Sequence, residues 1–156
     1  MALRQWANQA GATIDFWHHY CQGDPNHPKV RGRPPSVNRL LWDETAQKHV
    51  TPDGLLGLTH AGQSRLFFVE LHHKTPTAQV IAQIYRNFLA RKAARQKVSA
   101  YPIKQDPYVL SVFTSEAIKS AVEKRLADDQ TFDAVRPGLL LRTLDQIRAE
   151  GVRLGS

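Results

Sequence analysis

The hydrophobic period of the chain changes at Pro76, and that change limits the folds open to it. Before Pro76 the apolar residues come in short runs bounded by turn residues: Gly54–Leu58, the turn His60-Ala61-Gly62-Gln63-Ser64, then Arg65–His73. Runs of this length, joined by a glycine-containing turn, predict a β-hairpin. After Pro76, Val80, Ile81, Ile84, Tyr85, Phe88 and Leu89 recur at helical spacing, with Thr75 or Thr77 able to cap the start and the run lasting to about Gln96. Tyr108–Phe113 is again a strand, and Ser115 opens a helix carrying Ile118, Val122 and Leu126 at i, i+4 and i+8. A hairpin, a crossover helix and a strand that rejoins the sheet predict an α/β fold, a mixed β-sheet flanked by helices.

The remaining segments fill in that frame. Leu3–Ala10 is a short helix ended by Gly11, and Thr13–Tyr20 is a strand. Gly23–Pro35 contains Asp-Pro, His-Pro and Pro-Pro steps and is a loop. Val37–Trp42 is a short strand before the polar turn Asp43–Lys48. Asp128-Asp129-Gln130 leaves the second long helix, Leu139–Arg142 is a last strand, and one more helical turn follows from Asp145. Trp6, Phe16, Trp17 and Trp42 are expected in the core. At 156 residues and 42% hydrophobic, residues 1–156 suit a single domain with a real core and no separate winged helix.

No apolar run approaches the roughly 18–20 residues that cross a bilayer, so no membrane partner is expected. Arg4, Asn8, Asp15 and two histidines within residues 1–20 argue against a signal peptide. The lone Cys21 excludes an internal disulfide framework and fits a reducing, cytoplasmic setting; nothing marks it as a nucleophile.

Strand alternation places Glu70, His72 and Lys74 on one face, with Val69, Leu71 and His73 on the other. Pairing of Gly54–Leu58 with Arg65–Leu71 sets Asp53 across from the Glu70–His72 end. Two carboxylates with a neighbouring nitrogen base suit a divalent cation, Mn2+ or Mg2+, and phosphodiester hydrolysis. Asp53, Glu70 and His72 are therefore the candidate metal ligands and, with Lys74, the candidate catalytic residues. His72 could ligate a transition metal or act as a base near neutral pH. The plainer alternatives are that Pro52-Asp53-Gly54 is only a turn entry and that Glu70 pairs with Lys74 or a helix arginine. His18 and His19 point to opposite faces and cannot share one site.

Twenty-one Lys and Arg against fourteen Asp and Glu give a net charge of +7. A basic domain of this size attracts polyanions, because phosphate contacts release condensed counterions. Arg86, Arg91, Lys92, Arg95 and Lys97 crowd one helix, which has no acidic residue between Thr75 and Tyr101, and Lys29, Arg31 and Arg33 occupy the Pro/Gly-rich loop. The candidate DNA-binding residues are Arg86, Arg91, Lys92, Arg95, Lys97, Arg31 and Arg33.

Pro52-Asp53, sixteen intervening residues, then Glu70-Leu71-His72 resembles the PD-(D/E)xK nuclease signature, with His72 where that signature has lysine. Lys74 lies about 6.6 Å further along a strand. The resemblance implies a restriction-endonuclease-like core in which Asp53 and Glu70 bind the metal. A narrower likeness covers roughly Leu3–Leu144. Thr51–Leu58, Leu66–Glu70, Lys74-Thr75 with its basic helix, and Tyr108–Glu116 are together similar to the replication-relaxation family of plasmids and conjugative elements. His72 stands where that family has a second acidic residue.

The resemblance implies a DNA-binding accessory domain of a mobile genetic element, serving plasmid replication or mobilisation beside a relaxase or replication protein. The alternative is an active metal-dependent DNA endonuclease. A weaker one is a protein-interaction module that recruits an acidic partner.

Overall fold

The computed structural model describes residues 2–19, 42–43, 48–49, 52–97 and 106–152, with the backbone alone at 2, 42–43, 48–49 and 92–97. Helix α1 (Ala2–Ala10) leads into β1 (Thr13–His19), and a small ribbon follows, β2 (Trp42–Asp43) with β3 (Lys48–His49). The order continues as β4 (Gly54–His60), β5 (Gln63–His72), α2 (Thr77–Lys97), β6 (Tyr108–Phe113), α3 (Glu116–Ala127), β7 (Leu139–Thr143) and α4 (Leu144–Glu150). Five strands form one mixed sheet in the order β1-β4-β5-β6-β7, flanked by four helices, and the fold is α/β.

The hairpin β4–β5 closes through Ala61-Gly62, both in the left-handed region at φ 49° and 74°, between the paired residues His60 and Gln63. Such two-residue turns match the right-handed twist of the strands they join. β1 adds antiparallel to β4, while β5–β6 and β6–β7 are parallel. Parallel neighbours need a crossover, and α2 and α3 supply the two.

Alternation along the strands divides the core. Leu56, Leu58, Phe67, Val69, Leu110, Val112 and Leu140 pack with Trp6 and Ala7 of α1 and Ile147 of α4. On the opposite face Phe113 packs with Val80 and Ile84 of α2 and Val122 and Leu126 of α3. Phe132, in the first of two 3-10 turns after α3, and Val135, between the two, close that layer. Asp129 caps the first of these turns by accepting from the Thr131 amide at 2.9 Å, a feature the sequence reading passed over.

Two expectations change. Trp17 is 44% exposed on β1, which among the described residues is an edge strand of the sheet. Of the expected strand Val37–Trp42 only Trp42 falls within the described residues, where it pairs with His49. Cys21 and the loop Gly23–Pro35 lie outside them. No helix among the described residues is long and apolar enough to cross a membrane.

Candidate functional site

The β4–β5 ladder pairs Gly54 with Val69, which sets Asp53 against Glu70 one step beyond its end. The Asp53 side chain continues the ladder: its Oδ2 accepts from the Leu71 amide at 2.8 Å, so a carboxylate stands where a strand carbonyl would otherwise accept. That bond fixes the carboxyl beside Glu70, and the two side chains lie within hydrogen-bonding reach of each other.

Glu70 projects from β5 toward α2. It is 7% exposed, and Asn87 Nδ2 of α2 donates to its Oε1 at 2.6 Å. Burial raises its pKa from 4.5 to about 7. The Asn87 donation and the charge of Arg86 oppose the rise, while Asp53 adds to it both by its charge and by its hydrogen bond. Burial with a second carboxylate beside it disfavours the charged form, so Glu70 keeps its proton up to near neutrality.

His72 shares that sheet face, one pleat further along. It is 1% exposed, its ring lies 5.0 Å from that of Phe113, and its Nε2 has no hydrogen-bond partner among the described residues. Burial lowers its pKa against the opposing pull of Asp53, which leaves a neutral imidazole at physiological pH. Ser111 Oγ, on the β6 residue paired with Glu70, is likewise buried without a partner among the described residues. Glu70 and His72 thus share one face of β5, and Asp53 is brought beside Glu70 at the end of β4. Among the described residues, however, no three His, Cys, Asp or Glu side chains converge closely enough to hold one ion. The carboxylate pair is assembled; the imidazole packs on Phe113 instead of completing a triad.

The expected cations separate. β5 ends at His72, and Lys74 is exposed beyond it with φ at 55°, so strand parity does not extend to Lys74. Among the described residues, the cation that acts on Glu70 is Arg86. Arg91 does not belong to an open phosphate-binding strip. Its guanidinium sits 3.6 Å above the Phe88 ring and 4.0 Å from Asp106, with its side chain 17% exposed. Desolvation lowers its pKa, and the Asp106 charge counters this. Lys92, Arg95 and Lys97 continue the α2 backbone, but their side chains lie outside the described residues, as do Arg31 and Arg33 entirely.

The sequence reading missed Asn87. Its signal was present: a neutral amide at the third position of the run Val80, Ile84, Asn87, where the buried stripe of α2 calls for an apolar residue. Only a polar group on the sheet below makes that placement favourable. Comparisons with known protein families, with curated proteins and with solved structures found no match to this chain.

Proposed function

We propose that this is a nucleic-acid-processing domain that hydrolyses a phosphodiester with one divalent cation, Mg2+ or Mn2+, held between Asp53 and Glu70. The observation that carries the reading is the buried carboxylate pair, with Glu70 drawn to about 7 by burial and by Asp53. A cation in place of the Glu70 proton would restore the negative charge of that carboxylate. The donor set suits such an ion, since Mg2+ is usually held by one or two carboxylates plus waters and substrate phosphates. When bound, the cation would polarise the phosphoryl group and acidify a water. Hydrolysis then forms one P–O bond from water and breaks one ester P–O bond, and the released alkoxide takes a proton. Asp53 and Glu70 would hold the ion, and Asn87 would keep Glu70 aimed at it.

Further support comes from the order of elements. Three antiparallel strands, β1, β4 and β5, followed by α2 and the parallel β6, is the order expected of a restriction-endonuclease-like core. On this reading the domain works in the cytoplasm on the DNA of a plasmid or conjugative element, beside a relaxase or replication protein. A second reading has its own observation. Glu70 is covered by Asn87, and His72 replaces the signature lysine, as in a DNA-binding accessory domain that positions DNA without cutting it.

Nicking of supercoiled plasmid with Mg2+ or Mn2+ separates the two. Cutting that Asp53→Asn and Glu70→Gln each abolish supports the enzyme. Duplex binding that falls linearly with log salt, without cutting, supports the accessory domain. Neither binding nor cutting would refute both.

A further inference from the structure

We infer, on the reading of Asp53 and Glu70 as cation ligands, that helix α2 supplies the positive charge of this site: Arg86 anchors the scissile phosphate of a nucleic-acid backbone, and Asn87 sets its position. A phosphoryl group in transfer carries charge on several oxygens, and a fixed cation beside the metal stabilises it. The strand that offers Glu70 has no such group. Its next inward residue is the buried His72, packed against Phe113, and Lys74 stands beyond the strand in a left-handed turn.

The helix above does have one. The 2.6 Å bond from Asn87 to Glu70 fixes the rotation of α2 over the sheet. Arg86 precedes Asn87 by one residue, about 100° around the helix and 1.5 Å along it. Its side chain therefore leaves α2 beside the buried amide, exposed to solvent, with its charge reaching Glu70. No acidic residue stands three or four positions from Arg86 on α2 to draw the guanidinium away. An arginine fork can take two phosphate oxygens at once, which a lysine cannot do. Arg91, by contrast, is engaged with Phe88 and Asp106.

The test uses the full chain and two readouts: nicking of supercoiled plasmid at saturating Mn2+, and Mn2+ affinity by calorimetry without nucleic acid. Arg86→Ala should slow nicking by about 10- to 100-fold, as loss of one electrostatic contact to a transition state does. The same variant should bind Mn2+ about threefold more tightly, because a positive charge that acts on Glu70 is gone. Arg86→Lys should recover part of the nicking rate and return Mn2+ affinity to that of the wild type. A residue that only supported the fold would not improve metal binding when removed. Asn87→Ala should weaken Mn2+ binding, since Glu70 loses its orienting donor.

If Arg86→Ala nicks like the wild type, or Lys74→Ala loses more than Arg86→Ala does, the assignment to α2 falls while the carboxylate site stands. If the wild type neither binds Mn2+ nor nicks, the site reading and the assignment fall together.

Discussion

Replacing Glu70 by glutamine should make the protein more stable, and the gain should depend on pH. Glu70 has its pKa at about 7 in the folded chain against an ordinary value of 4.5. Between those values the native state holds a proton that the unfolded chain has released, so stability falls as pH rises through this window. Below 4.5 both states are protonated and the cost is absent; above about 7 it is fully present. At about 1.4 kcal/mol per pH unit, the span from 4.5 to about 7 corresponds to about 3 kcal/mol. The glutamine side chain would mimic the protonated acid. Its carbonyl can still accept from Asn87, and its amide can donate toward Asp53.

Urea unfolding of wild type and Glu70→Gln at pH 5, 6, 7 and 8 measures this directly, and the difference between the two chains cancels the other titrating groups. The curves should lie close together at pH 5 and separate by about 3 kcal/mol at pH 8, a large part of the ~5–15 kcal/mol available to a domain. On the proposed function, Mn2+ at pH 8 should stabilise the wild type by about 2.7 kcal/mol at a hundred times its dissociation constant, and Glu70→Gln far less. A constant offset across this pH range, or a variant less stable at pH 8, would refute the retention of a proton by buried Glu70.

Arg91→Ala should cost about 1–2 kcal/mol through loss of its stacking on Phe88, and leave duplex affinity unchanged. A tenfold loss of affinity at constant melting temperature would return Arg91 to the phosphate strip. Tyr85→Phe should cost about 1–2 kcal/mol in urea unfolding, because the tyrosine hydroxyl donates to Asp129 at 2.7 Å and ties α2 to the end of α3. Gly57→Val should destabilise by about 1–3 kcal/mol, since even a Cβ there would stand 2.5 Å from the Phe16 ring; a thermal melt unchanged within a degree counts against that packing. Ala61→Asn should add about 0.5–1 kcal/mol by placing a residue that tolerates the left-handed region at the hairpin turn.

The sequence by itself determined the elements and most of their faces. The change of period at Pro76 marked the hairpin, the crossover helix and the strand that rejoins the sheet, because buried strands and helices repeat at two and at 3.6 residues whatever they pack against. Parity put Glu70 and His72 on one face, and the hairpin spacing brought Asp53 to Glu70; both followed from local geometry. Tertiary structure decided what local periodicity does not encode. Where β5 stops, parity stops, so Lys74 was misplaced by extending an alternation two residues too far. The arginines of α2 are alike in sequence, yet one meets Asp106 and Phe88 while the charge of another acts on Glu70. Asn87 acquires its meaning only from Glu70, seventeen residues earlier and one layer below. The ionisation of that glutamate is likewise a property of the assembled layers, since desolvation and a neighbouring charge act through space and not along the chain.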